Sequence, residues 1–150
     1  MSTDSLPRWS LVYLSGPPGV GKSTLMAHLT RHCDRLPISK PMAHDQLTLP
    51  SNDVPVFVSL AVELGRRRDA FSGTDALSMS VINTAEGYLA RPGRAHPLIL
   101  GEGDRLANAR FLNAARTFGY AVTLIHLEGS ADLVDERCDA RGSKQSPQWR

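Results

Sequence analysis

Apolar and polar positions along the chain fall into short β-type runs that alternate with helix-type stretches. "WSLVYLS", Trp9 to Ser15, is a brief apolar run rich in β-formers and followed by glycine, so it predicts a buried strand. From Gly21 the spacing turns helical, with Leu25 and Leu29 on one face and Pro37 beyond the end. Residues 38–54 are mixed and proline-rich, with a short second strand expected in "PMAHDQL". "VPVFVSLAVELG" predicts another strand, which runs into the basic "RRRD". In "GTDALSMSVINTAEGYLA", Leu77, Val81 and Ala85 recur at helical spacing, and Pro92 and Gly93 close the segment.

The second half is more regular. "PLILGEGD" predicts a buried strand with acids at its carboxyl end. "RLANARFLNAARTFG" predicts a helix with Leu106, Ala109, Leu112 and Ala115 inside and Gly119 as its stop. "YAVTLIHLEG" is a further strand, and "SADLVDERCDARG" a helix with Ser130 as N-cap and Gly142 after its end. Strands alternating with helices imply a mostly parallel sheet covered on both faces, joined by right-handed crossovers.

Between the first strand and the first helix lies Gly16-Pro17-Pro18-Gly19-Val20-Gly21-Lys22-Ser23, followed by Thr24. This satisfies G-x-x-x-x-G-K-[ST] in its required context, strand before and helix after. Glycines let the backbone turn tightly, so that successive N–H groups point at phosphate oxygens. Lys22 neutralises the β- and γ-phosphates, the Ser23 hydroxyl can hold Mg²⁺, and the helix adds its positive end. The reading is a nucleoside triphosphate site on a P-loop NTPase three-layer α/β sandwich.

Phosphoryl transfer needs a second anchor for the metal, an acid at the end of a strand beside the loop. Glu102 follows the apolar run more directly than Asp104 and is the expected metal contact, whereas Asp104 suits a helix cap. An acid near the acceptor can take its hydroxyl proton. Asp45, expected at the P-loop edge of the second strand, is the candidate base, with Asp75 as its rival. Arg137 and Arg141, four apart on one helix face, are placed to stabilise charge during transfer. Arg66, Arg67 and Arg68, followed by Thr74 and Asp75, suggest a loop that binds an acidic or nucleotide-like acceptor.

Composition narrows this only a little. A chain of 150 residues, 41% hydrophobic and 21% charged, fits one domain over residues 1–150. The net charge of +2 is too small to argue for nucleic acid by itself. No apolar stretch approaches a membrane span and no basic-then-apolar leader opens the chain. Cys33 and Cys138 lack metal-ligand spacing, which fits free thiols in a reducing cytoplasm.

With the P-loop, the acidic strand end and the late arginines in place, the chain resembles the P-loop kinases of nucleosides and nucleotides. "ELGRRRDAFSGTDALSMSV" and "LILGEGDRLANARFL" are similar to segments of small kinases encoded by tailed phages. Some of these are related to enzymes that phosphorylate 5-hydroxymethyluracil within DNA. The resemblance implies ATP and Mg²⁺ as cofactors and a lid over about 137–150, whose Arg137 and Arg141 contact the ATP phosphates. It implies a nucleoside, a nucleotide or a modified base in DNA as acceptor. Such kinases carry another strand and helix after the lid, so a domain without them, or a chain incomplete at its C-terminus, is expected. "HDQ" stands where many nucleotide kinases have an Asp-Arg pair. The competing function is an ATPase of AAA or switch type, for which "GPPGVGKST" is suited. "LILGEGD" lacks the adjacent Asp-Glu pair usual in AAA machines, and the chain leaves no room for their helical lid domain.

Overall fold

The first apolar run folds as strand β1, Ser10–Ser15, and the P-loop leads from it into helix α1, Lys22–Leu29. These elements belong to a computed structural model that describes residues 9–50, 59–67, 72–91 and 97–140. Strands β2, Asp34–Ile38, and β3, His44–Thr48, form a hairpin, and β4 spans Ser59–Leu64. A 3₁₀ turn at Thr74–Ala76 precedes α2, Ile82–Leu89. Then follow β5, Leu98–Glu102; α3, Ala109–Thr117; β6, Ala121–His126; and α4, Ala131–Ala140.

The six strands make one sheet in the order β2-β3-β4-β5-β1-β6. Pairings β4–β5, β5–β1 and β1–β6 are parallel, and the two that involve β3 are antiparallel. The α/β architecture and the mostly parallel sheet are those expected of a P-loop kinase. Parallel strands end at one edge, and there β1 delivers the P-loop, β5 delivers Glu102 and β4 delivers Gly65. Ligands of open α/β sheets bind along that carboxyl edge.

The core is built by alternation. Leu11 and Tyr13 of β1, Val62 and Leu64 of β4, and Ile99 of β5 pack with Ala85 and Leu89 of α2 and with Phe111 and Ala115 of α3. Tyr13 and Phe111 meet edge-on, with ring centroids 6.3 Å apart. Truncating Phe111, which has no exposed surface, would cost about 3–5 kcal/mol.

Three local expectations are corrected, and one strand is an element the sequence did not predict. In α1 the buried residues are Lys22 and Met26, while Leu29 is 58% exposed. The helix is rotated so that Lys22 points under the P-loop, and Met26, four residues on, follows it inward. The helix expected over 73–90 begins only at Ile82, because Thr74 and Asp75 are held by β5 and the turn after it. Strand β2 carries no periodic signal; it is a mostly exposed edge strand, where Pro37 is tolerated. In α3, Asn108 is the N-cap, its Oδ1 accepting from Phe111 N at 3.0 Å. Ala109 therefore faces solvent and Phe111 enters the core. Gly119 does stop the helix, with φ of 85°.

Among the described residues no helix is long and apolar enough to cross a membrane.

Candidate active site

The P-loop takes its shape from glycine. Gly16, Gly19 and Gly21 have φ of 138°, 83° and 107°, which side-chain-bearing residues rarely adopt. A Cβ at Gly16 would also lie 2.3 Å from the Leu127 carbonyl oxygen, so the loop runs directly against the end of β6. Lys22 folds back beneath it and donates from Nζ to the carbonyls of Gly16 and, at 3.1 Å, Pro17. Helix α1 has no side-chain cap and no acid in its first turn. Its leading N–H groups are thus available to an anion, and the positive helix end favours one.

Beside the loop, Glu102 ends β5 with 2% of its surface exposed. Its Oε1 accepts from Ser23 Oγ at 2.9 Å, the first link between the two halves of the site. Ser72 Oγ contacts the same Oε1 at 2.8 Å and Ser23 Oγ at 2.6 Å. The Glu102 backbone oxygen accepts from Thr74 Oγ1 at 2.9 Å, and Thr74 Oγ1 lies 2.7 Å from the Tyr13 hydroxyl. Burial pushes the Tyr13 phenol well above its ordinary range, so it stays protonated and donates along this chain. Gly73 packs so closely on Glu102 that a Cβ there would fall 2.5 Å from Oε1.

A cleft of about 220 Å³ opens next to this cluster, lined by Ser23, Ala27, Glu63, Arg67, Ser72 and Glu102. Behind Glu63 lies an ionic group. Arg35 on β2 donates to Glu63 Oε2 at 2.6 Å, to Asp45 Oδ2 at 2.9 Å and to Thr30 Oγ1. Burial raises the Glu63 pKa, and Arg35 only partly offsets it. Burial alone would lower Arg35, but Glu63 and then Asp45 outweigh it and the guanidinium holds its proton more tightly. Two acids around one base account for both directions.

The expected site residues are distributed as follows. Lys22, Ser23 and Glu102 come together, and Thr24 is exposed on α1. Arg67 lines the cleft, while Arg66 forms a backbone bridge to Gly73, its N–H donating to the Gly73 carbonyl at 3.1 Å. Arg68 and Arg141 lie outside the described residues. Arg137 reaches the P-loop from α4, with NH1 3.5 Å from the Val20 carbonyl, and Cys138 is buried beside it against Pro18. Asp45 is the second residue of β3, opposite Glu63, and its carboxylate is turned to Arg35. Thr74 is fully buried, so it supports Glu102 and offers no surface to an acceptor. Asp75 Oδ1 accepts from the backbone N–H of Asp104 and Arg105 at 2.8 and 3.1 Å, which orders the turn after β5.

Sequence reasoning passed over three residues. Glu63 had a signal, a single acid inside the apolar run "VFVSLAVELG". Arg35 and Ser72 had none: Arg35 lies on an edge strand without periodic signal, and Ser72 and Ser23 are 49 residues apart.

The hard oxygens of Ser23, Ser72 and Glu102 are of the type Mg²⁺ takes, and the glycine loop over Lys22 has the form that cradles phosphates. Fold and site define a P-loop kinase. The sequence matches the P-loop Nucleotide Kinase3 family over residues 8–150, and the chain belongs to that family. ATP-dependent phosphoryl transfer is the general chemistry of such kinases. No curated protein and no solved structure matches the chain.

Proposed function

We propose that this protein transfers the γ-phosphoryl group of Mg·ATP to a hydroxyl or phosphate of a nucleoside, a nucleotide or a modified base in DNA, with 5-hydroxymethyluracil as a candidate. The observation that carries the reading is the cleft itself. It begins at Ser23 and Glu102, beside the phosphate loop, and extends to Glu63 and Arg67. An acceptor in it would lie next to the triphosphate, where positioning supplies much of the catalysis.

In this reading the P-loop amides and Lys22 hold the β- and γ-phosphates. Ser23 and Glu102 hold Mg²⁺, which when bound neutralises the phosphate oxygens. Arg137 adds positive charge against the loop, and Arg141 is assigned the same role on its sequence position alone. The bond from the γ-phosphorus to the β-bridging oxygen breaks as the acceptor oxygen bonds to phosphorus. The acceptor proton passes to a carboxylate, for which Glu63, aimed into the cleft, is better situated than Asp45 behind it. Arg66, Arg67 and Arg68 bind the acceptor. A DNA acceptor would make binding strongly salt-dependent through them, and a free nucleoside would not. The reading places the enzyme in the cytoplasm, where ATP is supplied.

The test is transfer of labelled γ-phosphate from Mg·ATP to free nucleosides and nucleotides in one reaction and to 5-hydroxymethyluracil-containing DNA in another. Label in either acceptor, lost in Lys22→Ala, is expected. Label only in inorganic phosphate would overturn the kinase reading in favour of an ATPase.

A further inference from the structure

Three oxygens at the head of the cleft form a closed triangle. Ser23 Oγ to Glu102 Oε1 is 2.9 Å, Ser72 Oγ to Glu102 Oε1 is 2.8 Å, and Ser72 Oγ to Ser23 Oγ is 2.6 Å. Two hydroxyl protons serve these three edges, so the Ser72 proton has to be shared between Ser23 Oγ and Glu102 Oε1. Hydrogen bonding alone does not call for such a closure. Octahedral Mg²⁺ does, because ligands at 2.0–2.1 Å from the ion set neighbouring oxygens about 2.9 Å apart. All three edges lie within about 0.3 Å of that spacing, and the donors are hard oxygens.

The chain around Ser72 is built to keep it there. A Cβ at Gly65 would sit 1.8 Å from the Gly73 carbonyl oxygen, so the two glycines are in backbone contact. The Arg66 N–H donates to that same carbonyl, and Gly73 abuts Glu102. Ser72 itself bonds Glu102, and the residue after it, Gly73, is held against Glu102 and against the backbone of Gly65 and Arg66.

We infer that Ser72 supplies a third protein oxygen to the metal site, beside Ser23 and Glu102. The inference rests on the reading of Ser23 and Glu102 as metal anchors. It adds a residue from a separate segment, 49 residues from Ser23 in sequence.

The experiment is a calorimetric titration of Mg²⁺ into the protein holding a non-hydrolysable ATP analogue, with wild type, Ser72→Ala, Ser72→Thr and Ser72→Cys. Removal of the oxygen should weaken Mg²⁺ about 10- to 100-fold and leave metal-free analogue binding unchanged. Threonine should restore the affinity. Cysteine should bind Mg²⁺ poorly and shift preference toward Cd²⁺, because thiolate is a soft ligand. Unchanged or tighter Mg²⁺ binding by a folded Ser72→Ala would overturn the inference and leave Ser23 and Glu102 as anchors. Wild type that binds the analogue with no response to Mg²⁺ would overturn the metal reading itself.

Discussion

Glu63 and Asp45 face each other across the β3–β4 pairing, and both carboxylates close on one guanidinium, that of Arg35. Their separations from it are 2.6 Å for Glu63 and 2.9 Å for Asp45. Only Glu63 goes on to line the cleft. The pair thus divides into one carboxylate at the site and one that braces the residue holding it.

Replacing Arg35 by alanine leaves two carboxylates close together and unpaired. Breaking a buried ion pair from one side costs about 3–5 kcal/mol. The Arg35 side chain is 17% exposed, which places the loss at the lower end, about 3 kcal/mol. Arg35→Lys should recover only part, because an ammonium cannot fork between two acids as a guanidinium does. Urea unfolding measures both. A loss below about 1 kcal/mol would mean that the arrangement contributes little to holding β2 and β3 in place.

The raised pKa of Glu63 gives two pH effects of opposite sense. The folded protein holds this proton more tightly than the unfolded chain. Its contribution to stability is complete below the ordinary value of 4.5 and is lost as pH rises through the raised one. In the proposed reaction Glu63 acts as a carboxylate, so the acidic limb of kcat/KM should lie above 4.5. Glu63→Gln should remove that limb and lower the rate by roughly 10²- to 10⁴-fold. Asp45→Asn should keep the limb. If Asp45→Asn removes it instead, the base is the residue that the sequence suggested.

What the sequence made legible follows from how each feature is encoded. The P-loop is contiguous, each of its glycines has a backbone reason, and it lies between elements with clear periodicity. Glu102 was legible because it is the first acid after the apolar run "LIL", one glycine beyond it. Strand β2 was not, since an edge strand with Pro37 and little buried surface carries neither alternation nor an apolar run. The start of α2 was misjudged because Leu77, Val81 and Ala85 are indeed all buried, although Leu77 enters the core from extended backbone with ψ of 163°. The cleft was the least legible part. Its wall is assembled by Ser72 and Glu63 from loops and strands whose contacts are made only once the sheet has formed.

Gly73→Ala should separate metal binding from folding. The added Cβ would fall 2.5 Å from Glu102 Oε1, at the carboxylate and not in the main core. The φ of 61° adds strain for a side-chain-bearing residue. The expected outcome is a loss of about 1–3 kcal/mol in stability, with a disproportionate rise in the Mg²⁺ concentration needed for nucleotide binding. Gly65→Ala is the contrasting variant, because its Cβ would meet backbone at 1.8 Å and should cost stability first. Equal Mg²⁺ dependence in Gly73→Ala and wild type, measured by calorimetry, would show that Glu102 adapts without consequence.

Arg137 is the residue whose role kinetics can best define. It approaches the P-loop from α4 at the Val20 carbonyl, and a Cβ added at Gly21 would lie 3.7 Å from its NH1. In the proposed reaction this guanidinium would add positive charge beside the phosphates the loop holds. Charge on the transferring group is redistributed in the transition state, so a cation placed to meet it should favour that state over bound ATP. Arg137→Ala should therefore lower kcat by about 10²- to 10³-fold while changing the dissociation constant for ATP by less than about tenfold. Arg137→Lys should restore part of the rate, since it keeps the charge and loses the fork. Steady-state kinetics paired with equilibrium ATP binding on the same preparations decides the matter. A weakened ATP complex with unchanged kcat would make Arg137 a ground-state phosphate contact and remove it from the catalytic set.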